Sequence, residues 1–217
     1  MPDVVIPVLD EAEAIGEVVG AMPAGYRAIV VDNGSTDDSA AIAAAAGAVV
    51  VHEPQRGFGA ACWMGLQTAE ADVVCFIDGD GSLDPADLPA IAGPILAGEQ
   101  DLVMGRRIAE RGAWPVHARV ANRVLSVVLN RRSGSSLHDI GPMRAVRRND
   151  LLELGMTDRR FGWPLEMVVK AQAAGWRIAE VDVPYAERAG RSKVTGTVKG
   201  TLRAVRDMSR ILAENRP

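Results

Sequence analysis

The sequence predicts a single α/β domain over residues 1–217, built on a mostly parallel central sheet flanked by helices. Three observations lead there. Short β-branched runs alternate with helical segments through the first hundred residues, the connections between them are short, and three polar turns each follow a strand. With 48% hydrophobic and 24% charged residues, a chain of 217 residues can bury a core, and the composition excludes a disordered protein.

In order, Val4–Val8 reads as a strand. Ala12–Ala21 follows as a helix, with Ile15, Val18, Val19 and Met22 in helical phase. Ala28–Val31 is a strand ending in the turn cluster Asp32-Asn33-Gly34-Ser35-Thr36-Asp37, which caps an Ala-rich helix over Ser39–Ala46. Val49–His52 is a third strand, and Gly57-Phe58-Gly59 opens a helix from Ala60 to Thr68. Val73–Ile77 is a fourth, stopped by Asp78-Gly79-Asp80-Gly81. Asp84 then caps a helix over Pro85–Leu96. Ligands of such sheets sit beyond the carboxyl ends of the strands, so the turns at 32–37, 56–59 and 78–81 mark one candidate edge.

Beyond a short strand at Leu102–Gly105 the pattern is less regular. Arg119–Leu129 has helical spacing, with Val120, Val124, Val127 and Val128 as its apolar side and Arg119 and Arg123 as its polar side. Ser133–Asp139 reads as a loop. Met143–Val146 and Ile178–Val183 read as strands flanking a helix over Leu165–Ala174. Glu187–Gly196 is a loop of Gly, Ser, Arg and Lys. An amphipathic helix over Val198–Leu212 follows it, and no internal repeat or linker interrupts the chain.

The net charge of −4 conceals a segregation. Residues 1–100 hold 2 bases against 16 acids, and residues 101–217 hold 22 bases against 12 acids. An acidic half suits a divalent cation, and a basic half suits phosphates or an anionic surface; solvated faces are the alternative reading of both. Cys62 and Cys75 form no CxxC and read as reduced core thiols of a cytoplasmic protein. No secretory signal precedes the first strand. The longest weakly apolar stretch, around Ala40–Val51, is far shorter than the roughly 20 residues of a membrane span, so the chain is not expected to cross a membrane.

Asp78-Gly79-Asp80 is the sharpest chemical feature. Two acids one residue apart, directly after an apolar strand, offer oxygen ligands to a hard cation, and the flanking glycines permit a tight turn. A turn with solvated acids is the alternative. Asp32 fits either a nucleoside contact or an Asx-turn with a helix cap. Arg56-Gly57-Phe58-Gly59 reads as a flexible turn with one cation for a phosphate. Arg188, Arg191, Ser192 and Lys193 form a second cluster, in which guanidiniums can clamp phosphate oxygens. Asp139, Arg144 and Glu166 complete the polar set.

Taken together, the segments Ile6-Pro7-Val8-Leu9-Asp10-Glu11, Val31–Asp37, Arg56–Ala61, Phe76–Asp80, Asp101–Arg106, His138–Arg144, Trp163–Met167 and Arg188–Val194 resemble the family 2 glycosyltransferases. More narrowly, they resemble the polyprenyl-phosphate sugar synthases such as dolichyl-phosphate mannose synthase. The resemblance spans about residues 3–200. It implies a GT-A fold, with a nucleotide-sugar-binding half over about 1–105 and an acceptor half over about 106–217. Pro7, Glu11, Asp32, Arg56, Asp78, Gly79 and Arg106 would bind the nucleotide sugar, and Asp78 and Asp80 would hold Mg²⁺ or Mn²⁺. Asp80, Arg144 and Asp139 would be catalytic, Asp139 being the first candidate for a base, or else orienting the donor sugar or an arginine if the acceptor is an already ionised phosphate. Glu166, Arg188, Arg191, Ser192 and Lys193 would face the acceptor or its phosphate.

The implied reaction is an inverting transfer of a hexose from a GDP- or UDP-sugar to a polyprenyl or dolichyl phosphate. The implied partners are that donor, the lipid phosphate, and a peripheral contact with the cytoplasmic membrane face or a membrane protein; no nucleic acid is expected. Helix 198–212 could supply the contact. Two departures from the family pattern stand out: Asp10 replaces the usual Asn, and Ser82 stands where relatives commonly carry a Gln. A hydroxyl acceptor is the same-class alternative. A nucleotidyltransferase would show a Gly-rich basic loop after the first strand, where Leu9-Asp10-Glu11-Ala12-Glu13 is acidic. A non-catalytic nucleotide-sugar binder would not need the paired aspartates.

Overall fold

The computed structural model describes residues 1–110, 113–114, 116–133, 136–190 and 211, with backbone alone at 116–118 and 132–133. Arg191, Ser192, Lys193 and the expected helix 198–212, apart from Ile211, lie outside the described residues.

Strand β1 (Asp3–Val8) carries apolar side chains on both faces and takes a central place. β2 (Arg27–Asp32) and β4 (Val73–Phe76) pair with it in parallel on either side. β3 (Val49–His52) extends the sheet beyond β2, also in parallel. On the other side β6 (Arg144–Arg147) runs antiparallel to both β4 and β5 (Leu102–Ala109), and β7 (Ile178–Tyr185) pairs parallel with β5. Among the described residues the sheet thus has seven strands in the order β3-β2-β1-β4-β6-β5-β7. It is mostly parallel, as expected, with β6 as the reversed strand. β5 runs on past Gly105 to Ala109, so one sheet crosses the expected boundary between the two halves.

Successive side chains of a strand face opposite ways, so β1 feeds two cores. Val4, Ile6 and Val8 pack with Ile15, Val18, Leu88 and Ile91 from helices α1 (Ile15–Gly20) and α4 (Leu88–Leu96), and with Ala43 from α2 (Ser39–Ala45). Val5 packs on the opposite face with Leu66 from α3 (Phe58–Thr68) and with Trp163, Leu165 and Met167 from α7 (Trp163–Ala173). Asp84 accepts from the Ala86 N–H and caps the short 3₁₀ turn before α4, as expected. A helix that the pattern did not announce, α6 (Arg148–Glu153), follows β6. Cys62 and Cys75 are free and buried, and burial pushes the Cys75 thiol up to about 12, which leaves it unreactive.

Helix α5 (Val116–Ser133) is present with Arg119 and Arg123 exposed as expected, but most of its valine side faces outward as well. Val120 and Val124 are each 58% exposed and Val127 is 39% exposed, whereas Ser126 and Leu129 are buried. The inward side is held by amides. Asn130 donates to the Leu137 carbonyl at 2.8 Å and accepts from its N–H at 2.9 Å, while Asn122 accepts from the Ile140 N–H at 3.2 Å. Three of the four valines thus lie away from the side that bonds the loop, and Val128 is half-buried.

The glycines at 57 and 59 serve close packing between chain segments. The Gly59 and Ala60 N–H groups, at the start of α3, donate to the carbonyls of Arg160 and Arg159, each at 2.9 Å. A Cβ would fall 2.1 Å from the Arg159 carbonyl oxygen at Gly57, and 2.5 Å from that of Asp158 at Gly59. The expected flexible phosphate turn is therefore a docked one. Gly59→Ala should cost about 1–3 kcal/mol of stability, the usual range for overpacking, read as a lower urea midpoint with an unchanged slope.

Candidate active site

The sheet order reverses between β1 and β4, and open α/β sheets bind ligands beyond the strand ends at such a point. The register brings the residues after Val8, Asp32 and Phe76 to one edge. Glu11, Asp32, Asp78 and Asp80 gather there, with Pro7 half-buried near the end of β1.

Asp32 accepts from the Ser35 N–H at 3.0 Å and lies 3.1 Å from His52 Nδ1. Burial would raise its pKa, but the bonds from Ser35 and His52 outweigh it and hold the carboxyl below its ordinary range. Asn33 ties this turn to the next. Its amide donates to the Glu53 and Gln55 carbonyls at 3.0 and 2.7 Å, and its oxygen accepts from the Gly57 N–H at 2.7 Å. Arg56 donates to the Asn33 carbonyl at 2.9 Å and covers Gly34. Asp10 adopts a left-handed φ of 51°, which Asn and Asp tolerate best, and accepts from the Thr36 N–H at 2.7 Å. An oxygen acceptor is what the position needs, and aspartate supplies it as well as asparagine.

Asp80 is buried. Its Oδ1 accepts from the Ser82 N–H at 3.0 Å and the Ser82 hydroxyl at 2.6 Å; its Oδ2 lies 3.2 Å from Arg188 Nη1. Ser82 thus orients Asp80. Arg188 Nη2 donates to Glu11 Oε1 at 2.9 Å, so one guanidinium bridges two acids of the edge. Arg188, expected on the acceptor side, sits among the carboxylates. Asp78 keeps a partly exposed edge although protein surrounds it. Burial and the negative charge of Asp80 push its pKa up to about 7; Arg107 and Arg188 oppose the rise and Glu11 adds to it. Gly79 is tucked against β1, where a Cβ would lie 3.0 Å from Val8 and 3.2 Å from Ile6.

The extension of β5 separates two adjacent arginines. Arg106 pairs with Asp182, Nη2 to Oδ2 at 2.6 Å, along a shallow groove of about 490 Å³ shared with Ser136, His138 and Glu180. Arg107 instead grips Asp139. Its Nε donates to Oδ2 at 2.8 Å, its Nη2 to Oδ1 at 2.7 Å, and its backbone N–H to Oδ2 at 2.9 Å. The guanidinium stacks 3.9 Å from the Trp114 ring centroid and 5.4 Å from that of Tyr185. Glu180 pins the loop from below, accepting from the backbone N–H groups of His138 and Asp139 at 2.9 and 2.8 Å. Arg107 and Glu180 were missed in the sequence. The signal was strand alternation, which puts only one of two neighbouring arginines on the Asp139 side, but the strand was expected to end at Gly105. Asp139 is correspondingly not a free base, since both its oxygens are engaged by Arg107.

Two further expectations are corrected. Arg144 is buried, donating from Nε to the Gly141 carbonyl at 2.8 Å and from Nη1 to the Pro164 carbonyl at 2.6 Å. It ties the Asp139 loop to α7 from inside the core, and burial pulls its pKa down to about 10. Glu166 is also buried, accepting from the Thr157 N–H at 2.9 Å, the Thr157 hydroxyl at 2.6 Å and the Asp158 N–H at 2.7 Å, with Lys170 at 2.9 Å. Both groups build the floor beneath the site, because backbone donors and acceptors of the two loops claim them first.

In chelator at pH 8, Asp78→Asn should unfold at a higher temperature than wild type, since a neutral amide removes the repulsion from Asp80 and Glu11; an unchanged or lower midpoint would contradict the crowding. Glu166→Gln should lower the midpoint by roughly 1–3 kcal/mol of stability, the cost of leaving a buried donor poorly met, while nucleotide binding is retained. Calorimetric titration separates the two effects.

Comparison with known proteins bears on the family and the fold. The family model described as glycosyl transferase family 2 matches residues 3–155. An uncharacterized glycosyltransferase of Mycobacterium tuberculosis is 48% identical over 212 residues, covering 97% of each chain. A dolichyl-phosphate hexose transferase of Haloferax volcanii is 32% identical over 197 residues, 88% of this chain and 85% of that one. Among solved structures, glucosyl-3-phosphoglycerate synthase from Mycobacterium tuberculosis, in complex with Mn²⁺, uridine diphosphate and glucosyl-3-phosphoglycerate, superposes with a TM-score of 0.80 at 26% identity, covering 100% of this chain and 81% of that one. The sheet and its edge are those of the GT-A fold, and the chain belongs to the family 2 glycosyltransferases.

Proposed function

We propose that this glycosyltransferase moves a hexose from a nucleotide diphosphate sugar to a lipid phosphate of the polyprenyl class. The observation that carries the acceptor reading is the locked Arg107–Asp139 pair. A hydroxyl acceptor calls for a base, and Asp139 is already committed to a guanidinium. A phosphate monoester oxygen is ionised near neutral pH and calls for a cation instead. Arg107 offers one, with Nη1 uncommitted among the described residues and an aromatic stack fixing its plane.

The donor would lie across the switch point, its nucleoside toward Asp32 and its diphosphate toward Asp78 and Asp80. The donor set fits a hard divalent cation: two carboxylates that repel each other, with Arg188 now drawn to Asp80 as a partial substitute for a counter-charge. Asp78 and Asp80 would hold Mg²⁺ or Mn²⁺, which when bound offsets the charge that builds on a departing nucleoside diphosphate. Ser82 keeps Asp80 in place for this, and Arg188 supplies a second positive charge at the same edge. The acceptor phosphate oxygen attacks the anomeric carbon in line; the new C–O bond forms as the bond to the diphosphate breaks, and the nucleoside diphosphate leaves with the electron pair. Asp139 acts here as a positioning residue, with Glu180 holding its loop. Residues 1–105 would serve the donor, joined there by Arg188, and the rest of 106–217 the acceptor.

A second reading is favoured by the solved relatives: the glucosyl-3-phosphoglycerate synthase structures include one with uridine diphosphate glucose and phosphoglyceric acid, so a small phosphorylated acceptor is the alternative. The two are separated by incubating the protein and Mn²⁺ with UDP- and GDP-sugars and either polyprenyl phosphate or 3-phosphoglycerate, following nucleoside diphosphate release. Release dependent on the lipid, abolished by Asp80→Ala, supports the proposal; release dependent on phosphoglycerate alone replaces the acceptor. Arg107→Lys should lower kcat/KM for the acceptor about 10- to 100-fold, the worth of a charge-assisted bond, with donor binding little changed. Equal loss of donor affinity would move Arg107 to the donor side.

A further inference from the structure

Helix α5 leaves a surface that the reaction as described does not use. Val120, Val124 and Val127 follow one another at helical spacing along its exposed side, with Arg119, Arg123 and Arg131 also exposed beside them. Over Val116–Ser133 the sequence contains four arginines and no acid. An exposed apolar stripe edged by cations and free of carboxylates is the pattern of a helix lying in the interface of an anionic bilayer, where valines enter the acyl boundary and arginine stems extend to the headgroups. A protein-binding face would more typically be anchored by large aromatic side chains, and this stripe holds none.

The position of α5 supplies the second argument. Its Asn122 and Asn130 amides hold the loop 137–140, which carries Asp139 and, through it, Arg107. Whatever seats α5 therefore also sets the height of the acceptor cation. We propose that the Val120–Val124–Val127 face of α5 docks on an anionic lipid surface, presenting the Arg107–Asp139 pair to a phosphate at the headgroup level. This inference rests on the lipid-acceptor reading and names the surface through which that acceptor is reached.

The test uses the full chain and vesicles of phosphatidylcholine with or without phosphatidylglycerol, lacking any polyprenyl phosphate, so docking is measured apart from transfer. Wild type should co-sediment with the anionic vesicles and less with neutral ones. Arg119→Gln with Arg123→Gln should weaken partitioning by about fivefold per arginine, and Val120→Asp with Val124→Asp should abolish it. Unchanged Mn²⁺-dependent binding of uridine diphosphate would show that the variants remain folded. Failure of wild type to bind, binding indifferent to phosphatidylglycerol, or full binding by the valine variant would each overturn the proposal. So would concentration-dependent dimerisation lost in the valine variant without vesicle binding, which would assign the face to a second copy. Transfer to polyprenyl phosphate in detergent is assayed separately, so that docking can fail while the acceptor reading stands, and the reverse.

Discussion

Carboxylates crowded at one sheet edge repel one another, and much of the site is an answer to that repulsion. Parallel pairing of β1 with β2 and β4 brings Glu11, Asp32, Asp78 and Asp80 to the same edge. Burial and Asp80 raise the Asp78 carboxyl, and the rise is opposed by Arg107 and Arg188. Both arginines come from the second half of the chain. The charge segregation in the sequence is thus in part a complementarity within the fold: an acidic sheet edge receives cations from the basic half. A divalent cation between Asp78 and Asp80 would complete the same compensation, and the donor diphosphate would then meet positive charge from two directions.

A second layer of polar groups keeps that edge rigid without facing the crevice. Asn33 joins the Asp32 turn to the Glu53–Gly57 segment. The Gly57–Gly59 turn docks on the 158–160 loop, Glu166 gathers the N–H groups of Thr157 and Asp158, and Arg144 joins the Asp139 loop to α7. These buried polar residues bond chiefly to the scaffold, with Arg144 Nη2 left without a partner among the described residues. Beside this edge stands one ion pair, Arg107 with Asp139, clamped between an aromatic stack and Glu180. Its loop hangs from the α5 amides.

Local pattern was enough for the architecture. Among the described residues, β-branched runs, helical spacing and turn residues located all seven strands and six of the seven α-helices within a few residues, because strand and helix propensity act over neighbouring positions. The acidic turns after β2 and β4 could likewise be assigned to one edge, since short crossovers between parallel strands allow little else. Asp78, Asp80 and Asp32 were legible for that reason, and Glu11 through the family resemblance.

Which polar side chains meet one another was decided only by the tertiary structure. Arg188 reaches Glu11 across 177 positions and Arg107 reaches Asp139 across 32, separations that no periodicity encodes. The choice between Arg106 and Arg107 depended on how far β5 runs beside β7. The side that α5 presents inward is the one on which Asn122 and Asn130 bond the 137–140 loop. The sequence by itself determined the sheet, its ligand edge and the acids that line it; the partners of those acids, and the face α5 turns outward, came from contacts between segments distant in the chain.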